Sequence, residues 1–600
     1  MFDFLLTTYI DKDLNQFQDP SQDKKKYLKN IKYSSFIHKS EHIMLIGYSH
    51  PEEENDFYED GQIVILKVGL IYPTIKSIDS YQINSEITLF QIKQIFTQKK
   101  TEINQYIKGN FVLVILDKAE LKIYGFIGKS GLIKLFYHVL EDELLLSTSI
   151  DSIARFPGVA NKTNYIAVLE SLRFGYPLGS QTFLENIHCL NNHSYLEYSI
   201  PEKKLNIVRY YSYNSLLMEK PKYDWNQTYE LTPGIFNQIV DFYINNDNKI
   251  NAALTSGFDS RTVLSRTYRQ KDRIRYYSWA ATNRSIDVKI PQLIAKKMDL
   301  NYSWLKFSEE FLENYDFYAK QLMFFSDGLG NIKRCNQMFS HEALSQNSRI
   351  NITGYIGSEL LRPTNSLNSN IFPAMKDIIY NKQIDKDKLV LALRGNQSLL
   401  TDSCISNIFD NTLEHVYNEL KYYMCFDSAY LNLYNYTLSQ SLWKYFGQEF
   451  HSTRIYDLTL SPYADDEFIE FIIKTPVPTI NKHAFKRNAK DLRKGQLFYI
   501  PILAKNCPPL LYIITSRGYT PAQLKSHFYP LNFIIPYLIF RFNNKVINKT
   551  STFNALLWNQ RSYDKNYQII EYNDNNLLKL NRDNVNNHEF SIKLWLMKYS

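Results

Sequence analysis

Cysteine and long apolar runs are scarce in this 600-residue sequence. There are five cysteines, an odd number, with no CxxC spacing between them. The first residues, MFDFLLTTYI, lack the basic n-region of a secretory leader. Apolar patches such as 531–540 fall well short of the roughly 20 residues that a membrane span requires. We therefore expect a cytoplasmic protein with reduced thiols and without a membrane span.

A large excess of one charge is also missing, since the formal net charge is +8. Basic runs such as Lys24-Lys25-Lys26 are short and scattered, which argues against a nucleic-acid-binding surface. The hydrophobic fraction of 44% and the charged fraction of 22% are typical of globular proteins rather than of disordered or fibrous ones. At roughly 100–200 residues per domain, this length predicts two or three domains.

Strand-like runs dominate the first part of the chain. Ile, Val, Leu and Phe are concentrated in several short runs, among them 62–69 and 111–116, which predicts an α+β domain over 1–215. The sequence then becomes polar and loses its apolar periodicity. We predict a linker at 216–233 and a second domain over 234–600.

Strands and helices alternate at the start of the second domain. After a first helix at 234–244, the pattern predicts strands at 250–254 and 274–279 and helices at 260–268 and 288–298. This βαβα order is typical of a parallel, doubly wound sheet. Helical spacing prevails from about residue 376 onwards, so the rest of the chain is expected to be mostly α-helical.

The turn after the first strand of this pattern has the composition of an anion site. Small residues at Ser256 and Gly257 and a helix that opens at Ser260 direct several backbone N–H groups at one point. Asp259 would repel a phosphate group unless a divalent cation lay between them, which indicates Mg²⁺ and a polyphosphate such as ATP. Arg261 in the first helical turn is a candidate for neutralising the leaving pyrophosphate.

The sequence Leu254-Thr255-Ser256-Gly257-Phe258-Asp259-Ser260 resembles the S-G-G-x-D-S signature of the N-type ATP pyrophosphatases, and its surroundings resemble the asparagine synthetase family. In the first domain, Gly109-Asn110-Phe111, 131–137 and 144–150 resemble successive turns and strands of that family's glutaminase domain. The resemblance implies an α+β, Ntn-hydrolase-like domain of stacked antiparallel sheets. An α/β PP-loop ATP pyrophosphatase domain with a parallel sheet and a helical C-terminal part would follow it.

The resemblance also implies that the glutaminase chemistry is lost. The family's nucleophile is a cysteine at the mature N-terminus, whereas this sequence starts Met1-Phe2-Asp3 and has its first cysteine at position 189. Ile127-Gly128 replaces an Arg-Asp pair of the same fold. We expect the first domain to be a structural remnant that does not hydrolyse glutamine.

Two further segments resemble the family's synthetase site. Asp287-Val288-Lys289 resembles a D-x-K helix start, and 352–360 resembles the S-G-E-G-S-D-E-L loop. Tyr355 stands at the position of the family's Glu, and Ser358 at the position of its Mg²⁺-binding Asp. These departures leave Glu359 as the nearby carboxylate.

Tyr355 also resembles a tyrosine of the β-lactam synthetases and of carbapenam synthetase, where it acts on the attacking amine together with a downstream glutamate. No glutamate occurs between Leu360 and Leu413 in this sequence. Two interpretations stay open, namely that Tyr355 is a catalytic base or that it is a packing aromatic. The family's R-x-K has become Arg517-Gly518-Tyr519, so Arg517 or Lys505 would supply its positive charge.

The resemblance implies an ATP-dependent, AMP-forming amide ligase that adenylates a carboxylate and couples it to an amine. Nucleotide contacts are assigned to Leu254, Thr255, Ser256, Gly257, Asp259, Ser260, Ala280 and Gly354, and Mg²⁺ to Asp259 and Glu359. The expected partners are ATP, Mg²⁺, an amine and a small-molecule, sugar-acid or peptide carboxylate, with a homodimer as a candidate assembly. A lasso-type peptide macrolactam synthetase, a sugar-acid amidating enzyme and an inactive nucleotide- or peptide-binding scaffold remain alternatives.

Overall fold

The computed structural model describes most of the chain, with gaps that are largest near the C-terminus. The described residues are 1–9, 25–28, 30–51, 56–81, 83, 85–245, 249–362, 370–395, 400–481, 489–525, 534–536, 538–539 and 587–596.

Fourteen strands form the β-structure of the described part of residues 1–215. They are β1 (Asp3–Thr7), β2 (Ser34–Lys39), β3 (Met44–Ser49), β4 (Phe57–Glu59), β5 (Ile63–Gly69), β6 (Tyr72–Pro73), β7 (Ile107–Lys108), β8 (Phe111–Asp117), β9 (Lys122–Ile127), β10 (Phe136–Leu140), β11 (Glu143–Ser147), β12 (His188–Cys189), β13 (Ser194–Ser199) and β14 (Lys204–Arg209). One six-stranded sheet has the order β12-β10-β11-β1-β3-β2 and another β14-β13-β9-β8-β5-β4, while β6 and β7 pair separately. Neighbouring strands are antiparallel in all of these sheets, which confirms the antiparallel prediction.

The two large sheets pack face to face. Val64, Leu66 and Val68 of β5 point towards the other sheet and join a core with Phe4 and Leu6 of β1. The alternate residues of β5 and β8 form a second core with the helix Leu89–Lys99. Both faces of β5 are therefore buried, which explains why apolar residues occupy both faces of the strand; the exception is Lys67, whose ammonium group pairs with Asp56 and Glu86.

Helices cover the outer faces of both sheets. The helices of this region are Ile75–Tyr81, Leu89–Lys99, Ile150–Ala154, Tyr165–Phe174 and Tyr213–Met218, with a 3₁₀ turn at Lys100–Gln105. Those at Ile150–Ala154 and Tyr165–Phe174 pack on Leu5 and Leu145 of the first sheet. The result is a helix–sheet–sheet–helix arrangement, in agreement with the stacked-sheet layout expected for the first domain.

A five-stranded parallel sheet lies at the centre of the second region. Its strands are β15 (Ile250–Ala253), β16 (Ile274–Ala280), β17 (Tyr302–Lys306), β18 (Ile350–Ile352) and β19 (Leu458–Leu460), in the order β17-β16-β15-β18-β19. All four neighbouring pairs are parallel, as the βαβα pattern predicts. The chain runs outwards from β15 to β16 and β17 on one side, while β18 and β19 lie on the other side. The boundary between β15 and β18 is therefore the point at which open parallel sheets bind ligands.

Helices account for most of the remaining described residues. They are Trp225–Ile244, Asp259–Thr267, Ile286–Met298, Glu309–Glu313, Tyr315–Phe325, Asn336–Ser345, Gly357–Leu361, Pro373–Ile379, Lys386–Leu393, Asp402–Tyr423, Ala429–Tyr436, Gly447–Thr453, Asp466–Ile473, Ala489–Leu497, Tyr499–Asn506, Pro521–Lys525 and Asn587–Leu596. A π-helix at Thr437–Phe446 and 3₁₀ turns at Tyr268–Arg273, Ile332–Arg334, Val477–Asn481 and Pro508–Tyr512 complete the set. None of the described helices has the length and apolar character needed to cross a membrane.

The interval predicted as a linker, 216–233, is partly helical. The helix predicted to start at residue 234 begins at Trp225, so its first half lies inside this interval. Asp224 caps it by accepting a 2.8 Å bond from the Gln227 amide, while the Gln227 side chain returns to the Asp224 amide at 3.0 Å. This capping box starts the helix nine residues before Pro233, which lies within the helix and made the sequence resemble a break.

Buried polar contacts join the two regions. The Lys108 ammonium group is only 2% exposed and contacts both Asp465, at 3.2 Å, and Glu467. The side-chain amide of Asn110 donates to the Thr459 carbonyl at 3.0 Å. The first region is thus docked against the loop that follows β19. All five cysteines are free thiols, and four of them are buried.

Candidate functional site

A cavity of about 330 Å³ opens at the carboxyl ends of β15, β16 and β18. Its size lies at the lower end of the range usual for small-molecule sites. Several residues singled out in the sequence lie in its wall: Thr255, Asp259, Ser260, Ala280, Asp287, Gly354 and Tyr355. The structure therefore brings the loop after β15 and the loop after β18 together around one space, as the switch-point rule predicts.

The loop after β15 is closed by its own hydroxyl groups. The Ser260 hydroxyl oxygen accepts a 2.9 Å hydrogen bond from the Thr255 amide, and the two side-chain hydroxyls lie 2.9 Å apart. No side chain caps the helix Asp259–Thr267, whose N-terminus adjoins this loop. The N–H groups of a first helical turn lack intrahelical partners, and the helix dipole adds positive potential there. This edge of the cavity therefore has the properties of an anion site.

Glycine is required where the two loops meet. A Cβ atom at Gly354 would lie 2.6 Å from the Ser260 amide nitrogen and 2.8 Å from the Asp259 carbonyl carbon. A Cβ atom at Gly357 would lie 2.6 Å from the Asp259 Oδ1. Both distances are shorter than real Cβ contacts, so any side chain at Gly354 would push the helix start away. The two loops are packed at backbone contact.

Asp259 is held by hydroxyl groups from three elements. Ser358 donates to its Oδ2 at 2.8 Å, the Tyr499 hydroxyl donates to its Oδ1, and the Tyr463 hydroxyl donates to its backbone carbonyl at 3.1 Å. Burial and the charge of Asp259 raise the pKa of Tyr499 well above its ordinary value, so the phenol keeps its proton and donates. The carboxylate is fixed in position beside the cavity.

The oxygen groups around Asp259 fit the chemistry of Mg²⁺. This ion usually takes one or two protein carboxylates and completes its shell with water and substrate phosphate oxygens. Asp259 lines the cavity, whereas Glu359, which follows its hydrogen-bond partner Ser358 in the sequence, is not among the described lining residues. Among the residues that the structure describes, no group of three or more His, Cys, Asp or Glu side chains is arranged to hold a metal ion. The described lining includes Asp259 and Asp287 and no basic side chain, so a polyphosphate here would need a cation.

Three of the predicted ligands, Leu254, Ser256 and Gly257, do not line the cavity. The Ser256 amide and hydroxyl both donate to the Oδ1 of Asp287, at 3.1 and 2.5 Å. Leu254 is fully buried in the core, and its amide bonds to the Tyr277 carbonyl. Gly257 follows in the same loop and does not line the cavity. These three predicted ligands shape the loop, while Thr255, Asp259 and Ser260 face the cavity.

The predicted role of Arg261 in neutralising pyrophosphate is wrong for this conformation. Its guanidinium group is fully buried and donates to the carbonyls of Leu510, Ile513 and Ile514. Burial lowers the pKa of Arg261 to about 10. The side chain turns away from the cavity because these three carbonyls would otherwise be left without donors. It holds the segment 510–514 beneath the loop.

The two candidates for the remaining positive charge lie in different places. Arg517 is exposed in the turn from Thr515 to Tyr519, and the preceding Ser516 amide donates to the Ser256 carbonyl at 3.3 Å. Lys505 is exposed near the end of the helix Tyr499–Asn506, about 9 Å along the axis from the residue that touches Asp259. The structure brings the backbone next to Arg517 close to the loop after β15 and leaves Lys505 away from it.

Tyr355 is half-buried in the cavity wall. Its ring packs against Phe446 and Phe450 at centroid distances of 6.4 and 6.0 Å. Burial raises its pKa, while a hydrogen bond from the Gln337 side chain acts in the opposite direction. Gln337 in turn donates to Glu449 at 2.8 Å. Tyr355 and Glu449 thus contact the same amide side chain.

Sequence patterns missed several residues of the site. Tyr499 and Arg362 lie beside Asp259 but fall outside the segments that the motifs indicated. Trp279 and Tyr277 line the cavity at the end of β16. Trp279 and Tyr277 could have been found from the sequence, because their strand ends beside the strand that carries the predicted ligand loop. Tyr499 gave no signal in a chain with 46 tyrosines.

Comparison with known proteins supports a relationship with the asparagine synthetase family. Over 254 residues the chain is 23% identical to the glutamine-hydrolyzing asparagine synthetase 2 of Bacillus subtilis (strain 168), a stretch that covers 40% of this chain and 34% of the relative. The chain thus matches about a third of that relative's length. No family model matches the chain. The similarity supports the family without distinguishing its subtypes.

Two solved structures show a weak likeness. One is glutamine phosphoribosylpyrophosphate amidotransferase from B. subtilis complexed with ADP and GMP, with 7% identity and a TM-score of 0.23 over 50% of this chain and 65% of that chain. The other is the allosteric regulatory enzyme of purine biosynthesis, with 7% identity and a TM-score of 0.24 over 50% of this chain and 64% of that chain. At these TM-scores neither carries weight for fold or function.

Proposed function

We propose that the chain is an ATP-dependent, AMP-forming amide ligase with a PP-loop nucleotide site. One observation carries the proposal. An uncapped helix N-terminus, a hydroxyl-rich loop and the carboxylate of Asp259 converge on a cavity at the switch point of a parallel sheet. A helix N-terminus suits phosphate, and a carboxylate in the same place suits a phosphate that carries Mg²⁺. The similarity to asparagine synthetase adds the amide-forming reaction.

The residues divide the work by position. The pyrophosphate portion of ATP would be held by Thr255, Ser260 and the first N–H groups of the helix Asp259–Thr267. Mg²⁺ would be held by Asp259 with Glu359. When bound, Mg²⁺ neutralises phosphate charge and assists departure of pyrophosphate. Ala280 lies where the adenosine end would meet the sheet, opposite the loop. Arg517 approaches from the exposed side to stabilise charge that develops in acyl transfer.

Tyr355 is the residue placed to act on the attacking amine. It lines the same cavity as Asp259, and the Gln337 amide that contacts it also donates to Glu449. To take a proton from the amine, Tyr355 would have to react as the phenolate, which the hydrogen bond from Gln337 would stabilise. We propose that Tyr355→Phe slows amide formation and leaves adenylation of the carboxylate intact.

The amine does not come from glutamine in this proposal. Cys189 is the first cysteine of the chain, and it is 2% exposed. Burial raises the pKa of the Cys189 thiol, which disfavours the thiolate needed for nucleophilic attack. Free ammonia, a second substrate or the amino group of the acid itself would supply the nitrogen.

ATP–pyrophosphate exchange tests the proposal. Purified protein is incubated with ATP, labelled pyrophosphate, Mg²⁺ and single carboxylic acids from the amino-acid, sugar-acid and peptide classes. We expect exchange that depends on one class of acid and is lost in Asp259→Asn. The matched control is Asp299→Asn, at a side chain that is 98% exposed. ATP binding without exchange for any acid would contradict the ligase and favour a nucleotide-binding scaffold.

A further inference from the structure

A buried arginine lies next to the proposed metal ligand. Arg362 follows the helix Gly357–Leu361, and its side chain folds back so that a guanidinium nitrogen donates to the Ser358 hydroxyl. The Ser358 hydroxyl in turn donates a hydrogen bond to the Oδ2 of Asp259 at 2.8 Å. The three side chains form a chain of donors that ends on the carboxylate lining the cavity.

Arg362 is enclosed on the side away from Ser358. The residue is 7% exposed, and the backbone of Gly495 covers its stem so closely that a Cβ there would lie 2.6 Å from the Arg362 Cγ. The Nε of Arg362 is buried without a hydrogen-bond partner in the described residues. A buried charged donor left without an acceptor is costly, which is unusual for a residue with only a packing role.

The charges around Arg362 explain why it keeps its proton. Burial alone would lower the pKa of Arg362, but the neighbouring Tyr499, Asp259 and Glu359 raise it above its usual value. Two carboxylates and one guanidinium group leave this corner with one net negative charge. Without Arg362 the corner would carry two, and the approach of a polyphosphate would require more cations.

Arg362 is placed so that its positive charge can substitute for that of a metal ion. The position that resembles a Mg²⁺-binding Asp is occupied by Ser358, which cannot neutralise or hold a cation in the same way. The hydroxyl instead connects Asp259 to a fixed cation. A guanidinium group is permanently charged and rigid, so it is suited to a constant position beside a phosphate site.

We propose that Arg362 is a positioning residue that takes the place of one divalent cation in the phosphate site, holding Asp259 through Ser358 and lowering the Mg²⁺ requirement for ATP binding. The inference rests on the proposed function, because it assumes that the cavity takes a polyphosphate. It goes beyond that function by predicting how many metal ions the site needs. The ATP affinity of the wild-type protein should depend on the first power of the free Mg²⁺ concentration.

The experiment measures ATP affinity of the full chain by calorimetry at a series of fixed free Mg²⁺ concentrations. We expect a first-order Mg²⁺ dependence for wild type. Arg362→Gln should raise the Mg²⁺ concentration for half-maximal ATP binding by about tenfold or more, as expected for loss of a charge-assisted contact. Arg362→Lys, which keeps the charge, should stay within about threefold of wild type. Arg394→Gln, at an exposed arginine that also ends a short helix, is the matched control.

A second pair of variants guards against a merely structural effect. Ser358→Ala breaks the bridge while leaving Arg362 in place, and it should also raise the Mg²⁺ requirement. Ser358→Asp combined with Arg362→Gln restores a carboxylate for a second ion, so ATP binding should return at high Mg²⁺ with a steeper, second-order dependence. Circular dichroism and thermal melting confirm that each variant is folded.

The outcomes separate the two proposals. ATP binding by wild type with an unchanged Mg²⁺ dependence in folded Arg362→Gln and Ser358→Ala would overturn the role of Arg362 and leave the proposed function intact. A wild-type protein that binds no ATP at any Mg²⁺ concentration would overturn the proposed function together with this inference. A wild type with a second-order Mg²⁺ dependence would also count against a built-in cation.

Discussion

The Oδ1 of Asp287 accepts two hydrogen bonds from Ser256, one from the amide at 3.1 Å and one from the hydroxyl at 2.5 Å. This contact ties the loop after β15 to the start of the helix that follows β16. The S-G-G-x-D-S signature has glycine where this chain has Ser256. The serine hydroxyl adds a second hydrogen bond to the Oδ1 of Asp287, which glycine could not make. Asp287, which lies in the cavity wall, thus fixes the position of Ser256 in this loop.

Loss of this contact should loosen the loop. Asp287→Ala removes a charged acceptor of two bonds and is expected to lower the free energy of unfolding by about 1–3 kcal/mol. Asp287→Asn keeps an acceptor oxygen and should cost less. Urea unfolding of Asp287→Ala, Ser256→Ala and the double variant gives the coupling energy. Strictly additive effects would mean that the two side chains do not interact.

The contact between the two regions should respond strongly to loss of its buried cation. Lys108→Met leaves Asp465 and Glu467 without their partner in a buried position, and we expect a loss of about 3–5 kcal/mol in urea unfolding. Lys118→Met removes a partly exposed pair with Glu59 and should cost less than about 1 kcal/mol. Equal effects of the two substitutions would contradict a buried interface at Lys108.

Stability should fall with rising pH because of Asp466. Burial raises the pKa of Asp466 from 3.8 to about 7, with Asp465 and Glu470 adding to the shift and Lys129 and Lys108 opposing it. The folded state therefore holds a proton that the unfolded state releases above its own lower pKa. This contribution to stability is complete below about pH 4 and is lost as the pH rises towards 7.

Asp466→Asn should remove that part of the pH dependence. Between pH 5 and 7, wild type is expected to lose of the order of 1 kcal/mol per pH unit more than Asp466→Asn in urea unfolding. Asp299→Asn, at an exposed aspartate, serves as the control and should follow wild type. Parallel pH profiles for wild type and Asp466→Asn would show that Asp466 is ionised in the folded protein throughout.

Glutamine should not be a substrate of the first region. Incubation with glutamine is expected to release glutamate at the rate of a buffer blank, because the buried thiol of Cys189 is poorly ionised. Cys189→Ser should leave this baseline unchanged. Glutamate release above the blank that disappears in Cys189→Ser would show that the thiol is reactive.

The fold followed from hydrophobic patterning more closely than the site did. Runs such as 62–69 and 111–116 correspond to β5 and β8, and the parallel sheet with its ligand edge followed from the βαβα order. The helix start at Trp225 was missed because Pro233-Gly234 resembles a break, while the capping box nine residues earlier is a weaker signal.

Within the site, sequence patterns located the loops but not the direction of each side chain. Arg261 lies in the expected turn, yet the carbonyls of Leu510, Ile513 and Ile514 attract its guanidinium group away from the cavity. Contacts such as Tyr499 on Asp259 depend on how distant helices pack. Local patterns contain no information about such long-range contacts.

The central claim is that ATP binds where the loops after β15 and β18 meet, and a glycine pair tests it most directly. Gly354→Ala places a Cβ 2.6 Å from the Ser260 amide nitrogen, whereas Gly234→Ala adds one in open space within the helix Trp225–Ile244. ATP affinity is measured by calorimetry in the presence of Mg²⁺, and we predict that Gly354→Ala weakens ATP binding at least tenfold. Gly234→Ala should bind ATP like wild type, because alanine is favoured over glycine within a helix. Equal ATP affinities for folded Gly354→Ala, Gly234→Ala and wild type would contradict the account.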